Sequence, residues 1–281
     1  MTQQPDRRLV VSTLAATAAG ALATPGPVRA QGQTQGQAQG QTQGQTHSQA
    51  PRPGYLLVTG RSFDPARVRQ YGAALPPVYA SAGGYYLGIG GQGRGVEWIE
   101  GPWRDRSLVL AMFPDRAAVE TFWWSPAYRA AVPLRDRAGV FTVCALEGTG
   151  PVPHQGAGSA YLVTLLASGS DARRTEAAAD AYRSAVARSG GTVMTSTDAG
   201  APLPLEGDSA IDRVWIAGWA DAAGRSGFLA SPAARGARRL RETAGFSVVA
   251  TLNGIPRPPA QTPPAGPQPA PGQPASQPGM R

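Results

Sequence analysis

An internal repeat constrains this chain more than any other feature of its sequence. Residues 125–148 read SPAYRAAVPLRDRAGVFTVCALEG, and residues 231–254 read SPAARGARRLRETAGFSVVATLNG. The two segments align without a gap at an offset of 106 residues, and about half of their positions are identical. The same offset matches further residues: Tyr55 with Tyr161, Gly84 with Gly190, Glu100 with Glu206, Gly101 with Gly207 and Phe122 with Phe228. The sequence therefore predicts one module, residues 54–148, followed by a diverged copy, residues 159–254, across a Gly/Pro-rich linker at 149–158.

The first module alternates signals for strands and helices. Asp64 before Pro65 indicates a helix start, because Asp caps free backbone N–H groups and Pro fits the first helical turn. Helices are predicted at 64–82, with an interruption at Pro76-Pro77, and from 115 onwards, with a restart at Ser125-Pro126. Strands are predicted at 55–59, 85–89, 96–99, 107–113 and 139–146. The strand at 96–99 is expected to extend a hairpin after a glycine-rich loop.

The second module repeats this order. Its predicted strands are 160–166, 191–196, 211–219 and 245–252, and its predicted helices are 171–188 and 221–242, the latter broken at Ser231-Pro232. Each module thus has the order β-α-β-β-α-β, which is that of a ferredoxin-like unit.

The two ends of the chain differ from the modules in composition. Residues 1–30 are typical of an export signal, because an arginine pair precedes an uncharged run and a small-x-small cleavage motif at 28–30. The pair suggests a twin-arginine signal, and an ordinary secretory signal whose charged start happens to be two arginines is the alternative. We expect a periplasmic or extracellular protein without a transmembrane segment in its mature form. The Gln/Gly-rich residues 31–53 and the Pro-rich residues 255–281 are expected to be disordered.

Composition excludes several kinds of site. The single cysteine, Cys144, allows no internal disulfide and is predicted to be a structural thiol, since it lies in an apolar run. The two histidines, His47 and His154, lie outside both modules, so the modules lack the commonest general base and metal ligand. No metal or cofactor is expected. The net charge is +8, but the arginines are interspersed with acidic residues, so no nucleic-acid partner is expected.

A set of motifs in the first module resembles a known family. The module contains, in this order, the strand 55–59, Gly83-Gly84, Glu100-Gly101, the strand 108–113, Ser125-Pro126-Ala127-Tyr128, Leu134-Arg135 and Glu147-Gly148. With these motifs it resembles the domain of unknown function 1330 family. The second module resembles it more weakly, because Tyr128 becomes Ala234 and Glu147 becomes Asn253.

The resemblance implies a dimeric α+β barrel, in which two ferredoxin-like sheets pack face to face. The family's activity is not established, and relatives in the superfamily include cofactor-independent monooxygenases, isomerases and haem-related proteins. A fold with so many activities is a poor guide to chemistry. The predicted fold class is therefore α+β, with two ferredoxin-like (βαββαβ) repeats packed sheet to sheet as an intramolecular α+β barrel.

Three residues are candidates for chemistry. Glu100 would carry a proton if it lay in an apolar cavity; alternatively it is a strand-end carboxylate paired with an arginine. Arg135 would hold an anionic ligand or stabilise developing negative charge; alternatively it complements the end of its helix. Tyr128 would help to stabilise that charge. The catalytic set predicted from the sequence is thus Glu100, Tyr128 and Arg135.

Aromatic residues are candidates for ligand binding. Trp98, Trp103 and Tyr128 occur in the first module only, where they would line a pocket together with Arg135. Alternatively these rings fill the core or an interface. Because Tyr128 lacks a counterpart in the copy, any site is expected in the first half.

Two functions of different classes are consistent with these features. The first is binding of a small apolar or weakly anionic ligand between the sheets, with cofactor-independent proton transfer as the chemistry available to Glu100. The second is a non-catalytic envelope module that works through its disordered flanks. An open barrel centre lined by Trp98, Tyr128 and Arg135 would favour binding, and a packed centre would favour the envelope module.

The repeat also predicts the oligomeric state. A ferredoxin-like sheet has one face covered by helices and one bare face, which a second sheet on the same chain can cover. About ten linker residues span roughly 30 Å when extended, and tethering gives the partner sheet an effective concentration of about a millimolar. We expect static light scattering to give the mass of one chain for the mature protein. A stable dimer would contradict the internal pairing.

Overall fold

The computed structural model describes residues 52–150, 154–196 and 200–257. The predicted export signal lies outside these residues, as do almost all of the Gln/Gly-rich segment and the Pro-rich tail. Every described helix is too short or too polar to cross a lipid bilayer.

The first half contains five strands and four short α-helices among the described residues. They are β1 Gly54–Ser62, α1 Pro65–Ala74, α2 Pro76–Ser81, β2 Tyr85–Gln92, β3 Gly95–Glu100, β4 Ser107–Phe113, α3 Arg116–Trp124, α4 Pro126–Ala131 and β5 Gly139–Glu147. The 3-10 turn Val132–Arg135 follows α4. Asp64 accepts hydrogen bonds from the backbone N–H groups of Ala66 and Arg67, as expected of the predicted cap. The break between α1 and α2 lies where Pro76-Pro77 predicted it.

The second half has the same order. Its elements are β6 Ala160–Ser168, α5 Ala172–Arg188, β7 Thr192–Thr195, β8 Leu203–Glu206, β9 Arg213–Trp219, α6 Ala222–Ala230, α7 Pro232–Ala244 and β10 Gly245–Asn253. The caps recur at the offset of 106: Asp115 and Asp221 cap α3 and α6, and Ser125 and Ser231 cap α4 and α7. The short strand β8 was missed in the sequence, because one proline and one glutamate interrupt its apolar pattern.

Each half builds a four-stranded antiparallel sheet in the ferredoxin-like order. The first sheet runs β2-β4-β1-β5 and the second runs β7-β9-β6-β10. A short parallel contact between β2 and β3, at Gly91–Gly95, joins the two into one curled ten-stranded sheet. The α+β class predicted from the sequence is confirmed.

The two halves exchange one strand each. β3 of the first half pairs with β10 of the second, and β8 of the second half pairs with β5 of the first. In the exchanged ladders Glu100 lies opposite Val249 and Glu206 lies opposite Val143. The expectation that residues 96–99 extend a hairpin was wrong, because β3 crosses to the other half and touches β2 only at its start.

A core between the sheets holds the halves together. Strand side chains alternate in direction, so Leu108, Leu110 and Met112 of β4 point into this core. Side chains of the second half meet them there, from β6, β9 and β10: Tyr161, Val163, Leu165, Val214, Ile216, Val248, Ala250 and Leu252. The predicted sheet-to-sheet packing of the two repeats is therefore confirmed, with β4 and β9 in the facing sheets.

Two outer cores cover the other face of each sheet. Alternate residues such as Leu56 and Phe113 pack beneath the helices of the first half. Leu162 and Trp215 pack beneath the helices of the second half. The barrel thus has three apolar layers, one between the sheets and one under the helices of each half.

The repeated Glu-Gly pairs mark the ends of the exchanged strands. Gly101 has φ 84° and Gly207 has φ 74°, which is left-handed backbone that favours glycine. A Cβ at Gly101 would lie 2.3 Å from the Cγ1 atom of Val248, and one at Gly207 would lie 2.4 Å from the backbone oxygen of Phe141. Both glycines therefore let the exchanged strand approach the opposite sheet closely.

We expect Gly207→Ala to destabilise the fold more than Gly190→Ala does. Both positions have positive φ, but nothing lies within 4 Å of a Cβ built at Gly190, so only Gly207 adds a clash with backbone. The difference in the free energy of unfolding should be at least about 2 kcal/mol, the usual cost of overpacking, measured by urea denaturation. Equal costs would mean that the close approach at Gly207 is unimportant.

Candidate functional site

Glu100 lies at the junction between the halves. Its Oε2 atom accepts a hydrogen bond from Arg241 and lies 3.6 Å from Nε of Arg238, both on α7. The Glu100 side chain is 17% exposed, whereas that of Arg241 is 6% exposed. This arrangement matches the alternative interpretation of Glu100 as a strand-end carboxylate paired with arginine. A carboxylate engaged by two guanidinium groups is poorly suited to move a proton.

Arg135 makes the equivalent contact between the halves, here from an arginine of the first half to a carboxylate of the second. Its Nη1 and Nη2 atoms donate to Oε1 and Oε2 of Glu206 at 2.6 and 2.5 Å, a bidentate arrangement. Burial disfavours the charged guanidinium, but the hydrogen bonds to Glu206 outweigh it and raise the Arg135 pKa. Each exchanged strand thus ends in a carboxylate that pairs with a buried arginine of the other half.

Tyr128 lies in the outer core of the first half. Its ring is 4.8 Å from that of Phe122 and 4.6 Å from that of Trp123, measured between centroids. Its hydroxyl is 2.9 Å from the hydroxyl of Tyr71 and accepts a hydrogen bond of 3.4 Å from Nη2 of Arg135. Burial, with the neighbouring Tyr71, raises the pKa of this hydroxyl. Tyr128 therefore fills the space between α4 and the sheet and braces Arg135.

Trp98 lies in the core between the sheets. Its ring is fully buried, and its Nε1 donates to the backbone oxygen of Arg106 at 2.8 Å. The Trp103 ring packs edge-on against it, with 5.6 Å between the two ring centroids. The Arg106 guanidinium lies over the Trp103 ring, 4.3 Å from its centroid. Both indoles contribute to packing in this arrangement.

The residues predicted as one site are distributed over three places. Tyr128 and Arg135 are together, Trp98 and Trp103 are together, and Glu100 contacts Arg241 rather than Arg135. Trp98 and Tyr128 lie on opposite faces of a sheet. The sequence could not show this, because which face a residue occupies at the junction depends on the strand exchange.

A small cavity lies between the sheets. It measures about 70 Å³ and lies near β8, and it is lined by residues of both halves: Leu57, Thr59, Thr142, Cys144, Leu165, Pro204, Ile211 and Val214. A cavity of about 150 Å³ lined by apolar side chains binds benzene, and this one has about half that volume. Burial raises the pKa of the Cys144 thiol to about 12, which keeps it protonated and unreactive at neutral pH.

A larger cavity lies beneath the helices of the second half, and we call it the second-half pocket. It measures about 210 Å³. It is lined by Ile99, Glu100, Leu162, Tyr182, Phe228, Leu229, Ala234, Arg235, Ala237, Arg238, Arg241 and Val249. A wider surface depression of about 400 Å³ adjoins it and shares Ile99, Glu100 and Arg238. The pocket therefore has a route to solvent beside the Glu100–Arg238 contact.

The second-half pocket contains a buried polar group without a partner. Tyr182 is 3% exposed, and its hydroxyl makes no hydrogen bond. Burial raises the pKa of this hydroxyl, with the positive charge of Arg241 acting in the opposite direction. The hydroxyl therefore remains a donor at neutral pH. Its oxygen has under 1 Å² of accessible surface, so the hydroxyl belongs to the packed wall of the pocket and does not open onto it.

The pocket exists because of a change between the halves. Ala234 occupies the position of Tyr128, directly after the same Ser-Pro cap, while Phe228 and Arg241 keep the positions of Phe122 and Arg135. The loss of a tyrosine ring leaves the volume that the ring fills in the first half. The sequence contained a signal that could have found this site: the large Tyr128 is replaced by the small Ala234, whereas the neighbouring phenylalanine and arginine recur in both halves.

No metal site is built from protein carboxylates, thiols and imidazoles in the parts of the chain that the structure covers. In residues 52–150, 154–196 and 200–257, no three such side chains come close enough to share an ion.

Fold and pockets together define the class of protein: an α+β barrel in which one chain supplies both ferredoxin-like sheets. Residues 53–149 match the family model described as "Domain of unknown function (DUF1330)". The match confirms the resemblance predicted from the motifs of the first half, and it covers about a third of the chain. No curated protein matches the chain.

Solved structures resemble this chain at low identity. An anthrone oxidase-like protein is 11% identical, with a TM-score of 0.49, over 75% of this chain and 94% of that one. A protein of unknown function from Rhodopseudomonas palustris is 24% identical, with a TM-score of 0.28, over 36% of this chain and 85% of that one. Similarities of this size say nothing about activity.

The crossed ion pairs should matter more to stability than surface pairs do. We expect Glu206→Ala to lower the free energy of unfolding by about 2–4 kcal/mol, because it leaves the buried Arg135 charge without a carboxylate. Asp105→Ala, which removes the exposed pair with Arg61, should cost less than about 1 kcal/mol. Chemical denaturation measures both. Equal costs would show that the crossed pairs do not hold the halves together.

Proposed function

We propose that this protein is a small-molecule binding module whose ligand occupies the second-half pocket. The observation that carries the proposal is a pocket of about 210 Å³ beneath the helices of the second half, where Ala234 takes the position of Tyr128. Pockets lined mainly by apolar side chains, with a few polar groups among them, are the usual sites of small ligands.

The size of the pocket supports one compact ligand. A cavity of about 150 Å³ lined by Leu, Ile and Phe binds benzene. The second-half pocket is larger, and its buried walls include Leu162, Phe228 and Val249. It is therefore large enough for a single ring or a short branched chain with a polar substituent.

The comparison of the halves supports a role for the pocket. The first half fills the equivalent space with the Tyr128 ring, and it satisfies the Tyr128 hydroxyl with Tyr71 and Arg135. The second half keeps the arginine and opens the space. In this proposal the first half is the scaffold and the second half binds, which reverses the assignment predicted from the sequence.

A second candidate is the non-catalytic envelope module. The packed core between the sheets favours it, since Trp98 and its neighbours fill much of that space and the cavity found there measures about 70 Å³. Its working parts would be the Gln/Gly-rich and Pro-rich flanks. Export to the periplasm or beyond is part of both candidates and is supported by the composition of residues 1–30.

Filling the pocket tests the binding proposal. We expect wild-type protein to bind members of a set of small aromatic probes, namely toluene, phenol, benzamide and benzoate, in saturation-transfer NMR. Ala234→Tyr should abolish this binding and raise the melting temperature, because the new ring fills the cavity as Tyr128 does in the first half.

The matched control places the same side chain elsewhere. Ala223→Tyr adds a tyrosine to an exposed position of α6 and should leave binding unchanged. If the wild-type protein binds none of the probes, or if Ala234→Tyr binds them as the wild type does, the proposal fails. The first of these outcomes would favour the envelope module.

A further inference from the structure

The helix α1 packs on the first half unlike its counterpart in the second. No residue of α1 is buried, whereas α5, its counterpart at the offset of 106, buries six. Ala178 and Ala179 of α5 are each at most 1% exposed, while the matching residues of α1 are the half-buried Gly72 and the exposed Ala73. α1 therefore covers the first half without burying an apolar face of its own.

One side chain connects α1 to the outer core of the first half. Among the residues of α1, all of which the structure describes, Tyr71 alone belongs to that core. Its hydroxyl lies 2.9 Å from the Tyr128 hydroxyl, and the Arg135 guanidinium lies over its ring, 5.2 Å from the centroid. We call the space that this ring fills, between Tyr128 and Arg135, the Tyr71 cleft. Because Glu206 neutralises Arg135, the cleft suits a neutral group.

The chain on either side of α1 is fixed more firmly. Before α1, the backbone N–H groups of Phe63 and Asp64 both donate to the backbone oxygen of Ala138, at 2.8 and 3.0 Å. After α1, Leu75 is buried, and Tyr79 of α2 is buried among aromatic rings. α1 is thus a segment of 10 residues that is held at both ends and anchored between them by Tyr71.

The sequence of α1 also favours opening. Gly72 lies inside the helix, where glycine is unfavourable because it loses the most conformational freedom on folding. No described atom outside the backbone of α1 lies within 4 Å of a Cβ built at Gly72, so packing does not require a glycine there. A short helix draws most of its stability from packing of an apolar face, and α1 buries none. Its closed position therefore depends on Tyr71.

We infer that α1 is a lid, which opens between its two fixed ends and withdraws the Tyr71 ring from the cleft between Tyr128 and Arg135. The open form offers the Tyr128 hydroxyl as a hydrogen-bonding group and the Arg135 guanidinium as a surface for an aromatic ring. The guest that fits is neutral and ring-sized and carries a hydroxyl, like the side chain that it replaces. This inference concerns the first half and does not depend on the second-half pocket.

Hydrogen exchange measured by mass spectrometry on the full-length mature protein tests the lid. We expect the amides of α1 to exchange at least about tenfold faster than those of α5, because an element with few buried contacts opens at little cost. Tyr71→Phe, which removes only the hydroxyl contact, should speed the exchange of α1 about threefold further and leave β1 and β4 unchanged. The probe p-cresol, which is the tyrosine side chain as a free molecule, should also speed it, because it binds the open form only.

Binding measurements test the cleft beneath the lid. Every protein in this comparison carries Ala234→Tyr, so that the second-half pocket is filled. In this background Tyr71→Ala should bind p-cresol at least about tenfold more tightly in isothermal titration calorimetry, because no side chain competes for the cleft. Adding Tyr128→Phe should weaken that binding about three- to tenfold and leave toluene binding unchanged. The control Gln70→Ala changes an exposed neighbour on α1 and should leave p-cresol binding as it is.

Several results would overturn the inference. It is wrong if α1 exchanges as slowly as α5, or if p-cresol slows the exchange of α1 or leaves it unchanged. It is also wrong if Tyr71→Ala binds p-cresol no more tightly than its parent, or gains as much affinity for toluene. The exchange measurements on the wild type decide the matter if Tyr71→Ala does not fold.

Discussion

The burial of two bare sheet faces against each other is the constraint on which the rest of this structure depends. Each ferredoxin-like sheet has helices on one face only, and its other face carries large apolar side chains such as Leu110 and Ile216. At about 25 cal/mol per Å² of apolar surface removed from water, such a face cannot remain exposed. Placing two units on one chain provides the covering surface without a second molecule.

The junction between the sheets accounts for the residues that recur most clearly. Glu100 and Glu206 end the exchanged strands, and the glycine after each lets its strand approach the opposite sheet closely. The Glu100 carboxylate accepts a hydrogen bond from Arg241, and the Glu206 carboxylate accepts one from Arg135. These residues are shared by both halves because the exchange is reciprocal. Recurrence therefore identifies the framework of the barrel, and the differences between the halves are where a function can be placed.

The largest of those differences lies under the helices. Tyr128 completes the outer core of the first half, whereas Ala234 leaves the second-half pocket open beside Arg241. The same framework thus produces a filled site and an empty one.

The sequence by itself determined the repeat, the βαββαβ order, the caps at Asp115, Ser125 and their counterparts, and the α+β class. These follow from local signals that repeat at one offset, and local signals need no knowledge of the partner strand. Tertiary structure alone decided that β3 and β8 change sheets, because strand pairing depends on which edge is free in space. It also decided that Glu100 meets Arg241 rather than Arg135. For the same reason, the change from Tyr128 to Ala234 could be read in the sequence as a loss, while only the packed structure showed that it leaves a cavity.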